Sequence, residues 1–261
     1  RRSSDLESIN NNNNERRHLD TETTRQAIEI IESDETLKNR KSTVLFCPEW
    51  HKGVIAIVAS RLTEHFYRPT VILTQSNGLV TGSARSVKDF DIYEAISSCS
   101  EYLEHFGGHK YAAGLCLKPE NLEKFSNAFE IAVARSISSA SLIPEIEIDA
   151  EIKLSDITSK FFRILKQFAP HGPENPSPVF LTRGVIDNNT AKVVGSKHLR
   201  VMVSHPDSPG ISFSGIAFQK GELINAVQWG KNFDIVYQIE ENDWNGSRKL
   251  QLNIKDIKTY L

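Results

Sequence analysis

The stretch "HFGGHKYAAG", His105 to Gly114, decides how the first half of the chain is read. Two glycines stand directly before a histidine, and two alanines and a third glycine follow. Such a run is costly to order and packs little apolar surface. Gly107 and Gly108 can adopt positive φ and turn consecutive N–H groups toward an anion, with His109 at the rim. Ala112, Ala113 and Gly114 keep the next element thin, so another backbone can approach closely. A tight turn with an incidental histidine is the plainer alternative, and it accounts for the glycines alone.

Two more stretches upstream share this texture. In "EWHKGVIAIVASRL" (49–62), His51 and Lys52 precede Gly53, which opens an apolar helix. A helix start offers free N–H groups and a positive dipole end to an anion. In "TGSARS" (81–86), Gly82 permits close backbone approach, Ser83 and Ser86 supply hydroxyls, and Arg85 supplies a planar fork. Taken singly, each is also a polar loop beside a core element. Three anion-suited turns within one domain together predict a cleft for a phosphodiester backbone, which positions a substrate without reading its sequence.

Around these turns helix and strand patterns alternate. "TVLFC" (43–47), "PTVILT" (69–74), "GLVTGSA" (78–84) and "YAAGLCL" (111–117) read as strands. Residues 53–66, 91–99 with Asp91 as N-cap, and 120–137 read as helices. The expectation is an α/β (α+β) domain over 42–140. Residues 1–41 read as a polar connector helix, with Ala27, Ile28, Ile31 and Leu37 too few for a core of their own. The "NNNNN" run at 10–14 is either a loop or a helix start.

From 141 to 261 the pattern becomes mostly β. "EIEIDAEI" (145–152) alternates at period two, "SKFFRILKQF" (159–168) is a short helix, and six further strand candidates follow. A small barrel of the OB type is the favoured form. Single-strand binders combine basic grooves with exposed aromatics. Lys197, His198 and Arg200 are the basic candidates, in a region where Arg183, Lys192, Lys197 and Arg200 face only Asp187. Phe213, Trp229, Phe233, Tyr237 and Trp244 are the aromatics; most alternate with apolar neighbours as core residues do.

Composition narrows the class. Apolar residues make up 39% and charged residues 25%, with a formal net charge of −2, so any nucleic-acid surface must be local. No apolar run is long enough for a membrane span, and the polar opening is not a signal peptide. Three cysteines without C-x-x-C spacing point to reduced, buried thiols in the cytoplasm and against zinc. The sole methionine is Met202, so an earlier portion of a longer chain is expected.

"HKGVIAIVASRL", "GSARS" and "FGGHKYAAG", in this order, resemble the last motifs of RecJ-type single-strand-specific exonucleases of the DHH phosphoesterase superfamily. "NNERRHLD" (13–20), "PHGPENPSPVF" (170–180), "VGSKHLRV" (194–201) and 239–257 are similar to that family's connecting helix and OB region, so the resemblance covers nearly the whole chain. It implies a DHH-associated domain followed by an OB-fold-like domain. It also implies single-stranded DNA as substrate, degradation from the five-prime end, roles in repair and recombination, and Mn²⁺ or Mg²⁺ in the intact enzyme. His51, Ser83, Arg85, Gly107, Gly108 and His109 fall on substrate-contacting motif positions; Arg61 also lies in a motif, but its mid-helix place leaves a structural role open.

The departure is the absence of Asp-His-His or any aspartate cluster near the scattered histidines. Phosphodiester hydrolysis at neutral pH generally needs metals held by such aspartates. The chain is therefore expected to hold no catalytic residue, metal or cofactor of its own. It is expected to serve as the substrate-holding part of a nuclease whose upstream DHH domain carries the metals. Two other readings stay open: a non-catalytic single-strand-binding adaptor, and a DHH-type phosphodiesterase for oligonucleotides or cyclic dinucleotides. The OB-like tail weighs against the latter, because tiny substrates do not need it.

Overall fold

The computed structural model describes residues 2–172, 174–195, 197–244 and 247–260, with side chains from Asn13 onward except those of Asp243, Trp244 and Ser247. The chain divides into two compact units, Arg1–Glu145 and Ile146–Leu261.

In the first unit, α1 (Arg2–Ser33) and α2 (Glu35–Asn39) lead into β1 (Thr43–Phe46), α3 (Ile55–Phe66), β2 (Thr70–Ser76), β3 (Leu79–Arg85), α4 (Ile92–Ser97), β4 (His105–His109), β5 (Ala112–Leu117) and α5 (Leu122–Ser136). The strands form one sheet in the order β1-β2-β3-β5-β4. β1 and β2 are parallel, joined by α3 as a crossover; every other pair is antiparallel. Asn77 and Gly78, both at positive φ, close the β2–β3 hairpin, the two-residue turn that matches strand twist. Asp91 caps α4 by accepting from the Glu94 amide.

Side chains alternate across a sheet, and that alternation sorts the core. Val44, Val71, Leu73, Val80, Ala84, Ala113, Leu115 and Leu117 lie on one face, buried beneath α4 and α5 with Ile92, Ile96, Phe125, Phe129 and Val133. On the opposite face Leu45 and Ile72 pack under Ile55, Val58, Ala59 and Leu62 of α3, with Ala27 and Ile31 of α1 completing the cluster. Leu19, Ile28 and Leu37, from the segment read as a connector, pack against the same cluster. The Asn10–Asn14 run lies inside α1.

The second unit contains β6 (Ala150–Glu151), α6 (Ser159–Leu165), β7 (Phe180–Asp187), β8 (Lys192–Val194), β9 (His198–His205), β10 (Ser208–Ala217), α7 (Ile224–Val227), β11 (Phe233–Trp244) and β12 (Ser247–Thr259). Pairing runs β7-β11-β12-β10-β9 and returns from β9 to β7, so five strands close into a barrel of the OB type. β10 and β12 are the parallel pair within it. Val185, Leu199, Val201, Val203, Ala217, Phe233, Ile235, Tyr237 and Leu252 fill the interior. The strand expected over 145–152 is corrected: only Ala150–Glu151 pairs, and Ile146 and Ile148 are exposed. A period-two pattern specifies a strand only where a neighbour supplies the ladder.

Candidate functional site

Two of the three stretches singled out in the sequence, 81–86 and 105–114, come together on β-strands, not on turns, while 49–62 is a turn leading into α3. β3 pairs with β5 and β5 with β4, so residues line up in rows across the sheet: Arg85–Ala112–His109, Ser83–Gly114–Gly107 and Thr81–Cys116–His105. Directly opposed residues in an antiparallel pair point to the same face. All nine therefore share the face that α3 covers over β1 and β2. Beyond α3 that face is open: Gly114, His105, Gly107 and His109 are exposed and the other five half-buried. The floor consists of Ala112, Gly114 and Gly107, with Arg85 and His109 at one end, about two strand spacings (~10 Å) apart.

Arg85 stands where α3 gives way to this floor. Its Nε donates to Ser60 Oγ of α3 (3.2 Å), and its Nη1 donates to Ser83 Oγ (3.1 Å) and to the Ala84 carbonyl (2.8 Å). These acceptors are all neutral, and no carboxylate pairs with Arg85 among the described residues. Burial pushes the guanidinium pKa below its usual value, yet arginine stays protonated in proteins. A half-buried cation held only by neutral oxygens is a local excess of positive charge, favourable only where an anion or water meets it. Three of its five N–H groups are engaged, so Nη2 is left to turn outward. Ser83 accepts from Arg85 and keeps its own proton for an outside acceptor.

His109 is fixed by its own turn: Nδ1 accepts the Tyr111 amide at 3.2 Å, which makes Nε2 the protonated, outward-facing nitrogen of the neutral ring. His51 has the same arrangement, with Nδ1 accepting the Gly53 amide at 3.0 Å. The His51 turn stands at the other end of the sheet. Thr74 donates to the Trp50 carbonyl (2.5 Å), and Thr74 pairs with Thr81, four residues or ~13 Å along β3 from Arg85. Val54 begins α3 without any side-chain cap.

Several expectations are corrected. Gly107 and Gly108 make no anion nest, because successive amides in a strand point to opposite edges and cannot converge. Gly108 has φ +155°, and a Cβ there would lie 2.3 Å from the Ala112 carbonyl oxygen; the hairpin itself demands this glycine. Gly82 serves the core, since a Cβ would lie 2.3 Å from Leu73 Cδ2. Gly107 is different: a Cβ there would meet nothing within 4 Å, and at Gly114 only the Gly82 carbonyl oxygen at 3.9 Å. Ser86 turns away from the floor, its hydroxyl donating to the Phe90 carbonyl (2.7 Å) and its amide to the Tyr111 carbonyl. Arg61 ties α3 to α1 through Asp20 at 2.5 Å. Of the thiols expected to be buried, Cys99 is, but Cys47 and Cys116 are half-buried and Cys116 lies on the open face.

In the second unit Arg200 points outward from β9, in a row with Lys192 of β8 and Ile216 of β10. His198 is one row further, its ring edge-on to Phe218 at 5.2 Å and its Nδ1 accepting the Gln219 amide. Lys197 is exposed beside them in the β8–β9 turn. Arg183 leaves the basic group, paired with Glu151 (3.0 Å) and Asp234 (3.4 Å). Asp187 does not face the cations: it is buried and accepts from Thr190, Ala191 and Met202. Phe233 and Tyr237 are core residues, Phe213 packs against that core, and Trp229 is exposed. The Trp244 side chain and the Asn245–Gly246 turn lie outside the described residues.

The sequence reading missed Ser60 and His105 as members of this face, and Phe218 on the barrel. The signal for the face was present in "TGSAR": polar residues at 81, 83 and 85 alternate with small ones at 82 and 84, a strand pattern. Ser60 carries no such signal, since only tertiary packing brings it to Arg85.

Among the described residues no three His, Cys, Asp or Glu side chains gather closely enough to hold a metal ion. The donors do not fit a metal, and no chemical step is assigned to one on this chain. Among the described residues no helix is long and apolar enough to cross a membrane.

Comparison with known proteins agrees with the two-unit division. Residues 39–135 match the DHHA1 domain family, and residues 148–256 match the RecJ OB domain family. The single-stranded-DNA-specific exonuclease RecJ of Bacillus subtilis (strain 168) is 32% identical over 247 residues, 94% of this chain and 31% of that protein. The Escherichia coli (strain K12) protein of the same name is 29% identical over 240 residues, 88% of this chain and 41% of that one. The crystal structure of Thermus thermophilus RecJ in complex with Mg²⁺ superposes with a TM-score of 0.75 at 26% identity, covering 98% of this chain and 38% of that one. A second structure of that protein contains Mn²⁺. The chain thus spans 31–41% of the length of these relatives.

Proposed function

The chain carries the DHHA1 and RecJ OB domains of the RecJ family, and from that pairing we propose that it is the substrate-holding part of a single-stranded-DNA-specific exonuclease. The open face of β3, β5 and β4 takes the phosphodiester backbone. Arg85 Nη2 and the Ser83 hydroxyl donate to one phosphate, and the His109 Nε2–H closes on it or on its neighbour from β4. Ala112, Gly114 and Gly107 let the sugar-phosphate chain lie against the sheet. His51 meets the strand further along. On the barrel, Lys197, His198 and Arg200 support the single strand by charge and by the adjoining Phe218 ring.

The observation that carries this reading is Arg85, a half-buried cation on the open face with only neutral acceptors. An anion there gains more than it would in water, because part of the desolvation is already in place. The chemistry of bond cleavage belongs to the intact protein, acting from the five-prime end in DNA repair and recombination in the cytoplasm. Its divalent metal, Mn²⁺ or Mg²⁺, is held by a DHH domain outside these 261 residues. What this chain supplies is position: an in-line geometry fixed by a clamped phosphate lowers the entropic part of the barrier.

The test is Arg85→Ala in the full-length protein. Exonuclease turnover is expected to fall on the order of 100-fold, the scale for loss of one preorganised donor to a reacting phosphate, with the melting temperature unchanged. Activity within a few-fold of wild type removes the clamp from the account.

A further inference from the structure

The open face of the first unit has three rows, and the function proposed above uses two of them. Arg85–Ala112–His109 and Ser83–Gly114–Gly107 form the clamp and most of the floor, which leaves Thr81–Cys116–His105 without a role. This third row is polar throughout. Thr81 and Cys116 are half-buried and His105 is exposed. None of these three side chains has a hydrogen-bond or ion-pair partner among the described residues. Their neighbour in the same row does: the Thr74 hydroxyl of β2 donates to the Trp50 carbonyl (2.5 Å), so the row leads to the His51 turn.

Polar side chains at a surface are ordinarily hydrated, and what sets these apart is their spacing. Successive rows are two residues, or ~6.8 Å, apart along the strands. A single strand stretched to about twice its duplex rise of ~3.4 Å spaces its phosphates about 7 Å apart. The rows are therefore in step with a backbone laid lengthwise along β3, β5 and β4. With one phosphate held at Arg85, the second phosphate along arrives ~14 Å away, over Cys116. Thr81 and His105 flank that point from β3 and β4, about two strand spacings (~10 Å) from each other. Gly114 and Gly107 place no side chain in the path between the two ends, and none of the nine row residues is acidic. A backbone laid crosswise, from Arg85 to His109, would leave the third row unvisited.

We propose that Thr81 and His105 form a second phosphate contact, two nucleotides along from Arg85. The Thr81 hydroxyl and a His105 ring N–H donate to the same phosphate from opposite sides. The inference rests on the single-strand reading of this face and adds a length requirement to it. A 5′-phosphorylated trinucleotide carries phosphates far enough apart to fill both contacts, whereas a dinucleotide, linear or cyclic, fills one. Thr81 and His105 are thus specificity-determining residues that select strands over dinucleotides.

The experiment follows turnover of 5′-phosphorylated oligo(dT) of two to six nucleotides by the full-length protein. Wild type is expected to gain about fivefold or more in kcat/KM when the third nucleotide is added, the scale of one hydrogen bond to a charged group. Thr81→Val and His105→Ala should each raise KM about fivefold for three nucleotides and longer, with kcat and the dinucleotide kinetics unchanged. A merely structural role would not depend on strand length. Thr81→Ser and His105→Gln, which keep a donor, should recover most of the gain. Arg85→Ala, by contrast, should lower kcat/KM at every length. A wild type without the step at three nucleotides, or a step that persists in both Thr81→Val and His105→Ala, overturns the second contact and leaves the Arg85 clamp standing. If Arg85→Ala has no effect at any length, the clamp fails and the second contact with it.

Discussion

Arg85 in the first unit and Arg200 in the second are both proposed phosphate contacts, yet their surroundings have little in common. Arg85 is half-buried, and Ser60, Ser83 and the Ala84 carbonyl leave its guanidinium one outward edge. Arg200 stands exposed on the outside of a closed barrel, in a row with Lys192 and Ile216. A side chain with three fixed hydrogen bonds has little rotamer freedom left to lose when a ligand arrives, whereas a free one must be ordered at binding. The first arrangement suits placement of a single phosphate to within a fraction of an ångström. The second suits a strand that has to move through, because many weak, screened contacts exchange readily. In the function proposed here the two units divide the work: one sets geometry and the other supplies grip.

This contrast fails if the first unit's surface tolerates change as the second's does, and the glycines give the largest effects. Gly82→Ala and Gly108→Ala place a Cβ 2.3 Å from Leu73 Cδ2 and from the Ala112 carbonyl oxygen, respectively. Each is expected to cost about 1–3 kcal/mol of stability, read by chemical denaturation. Gly107→Ala and Gly114→Ala meet open space or ordinary contact, so the fold should gain about 0.5–1 kcal/mol, since glycine is the poorer strand residue. The same two substitutions raise the floor under the strand, and binding or turnover should fall even as stability rises. Normal binding by both would mean that the floor is not a contact surface.

Ser60→Ala gives a smaller effect of the same kind. It removes the Nε acceptor that holds Arg85 to α3. The full-length enzyme should lose about threefold to tenfold in kcat with KM little changed, because the cation remains and only its orientation loosens. Ser60→Thr, which keeps the hydroxyl, should restore most of it. A loss confined to KM would assign Ser60 to general charge placement.

Much of this architecture was legible in the chain itself. The strands over 43–46, 70–76, 79–85 and 112–117 and most barrel strands follow apolar patterns that only buried strands satisfy. Asp91 announces its helix by capping it. The site residues were legible by type and proximity in sequence, but not by geometry. "HFGGH" lacks the apolar side chains that mark a strand, so its glycines suggest a turn; pairing with β5 makes it an edge strand. Ser86 follows Arg85 directly, yet the end of β3 turns its hydroxyl to Phe90. Segment 145–149 shows the reverse failure, a strand pattern with too little partner to pair with. Cations fared worst, because charge alone does not reveal pairing: Arg183 is consumed by Glu151 and Asp234, while Lys249, far along the chain, joins Arg200 in one groove.

The central claim is that a nucleic-acid backbone lies on the open face of β3, β5 and β4. The most direct test is a ¹⁵N–¹H NMR titration of the chain with oligo(dT), following the Gly107 and Gly114 amides and the Arg85 Nε–H. All three signals are predicted to shift together and saturably, at a strand concentration that rises with salt, while the Gly78 amide in the β2–β3 turn stays still. Shifts confined to barrel residues, with Gly107, Gly114 and Arg85 unmoved at saturation, would contradict the account.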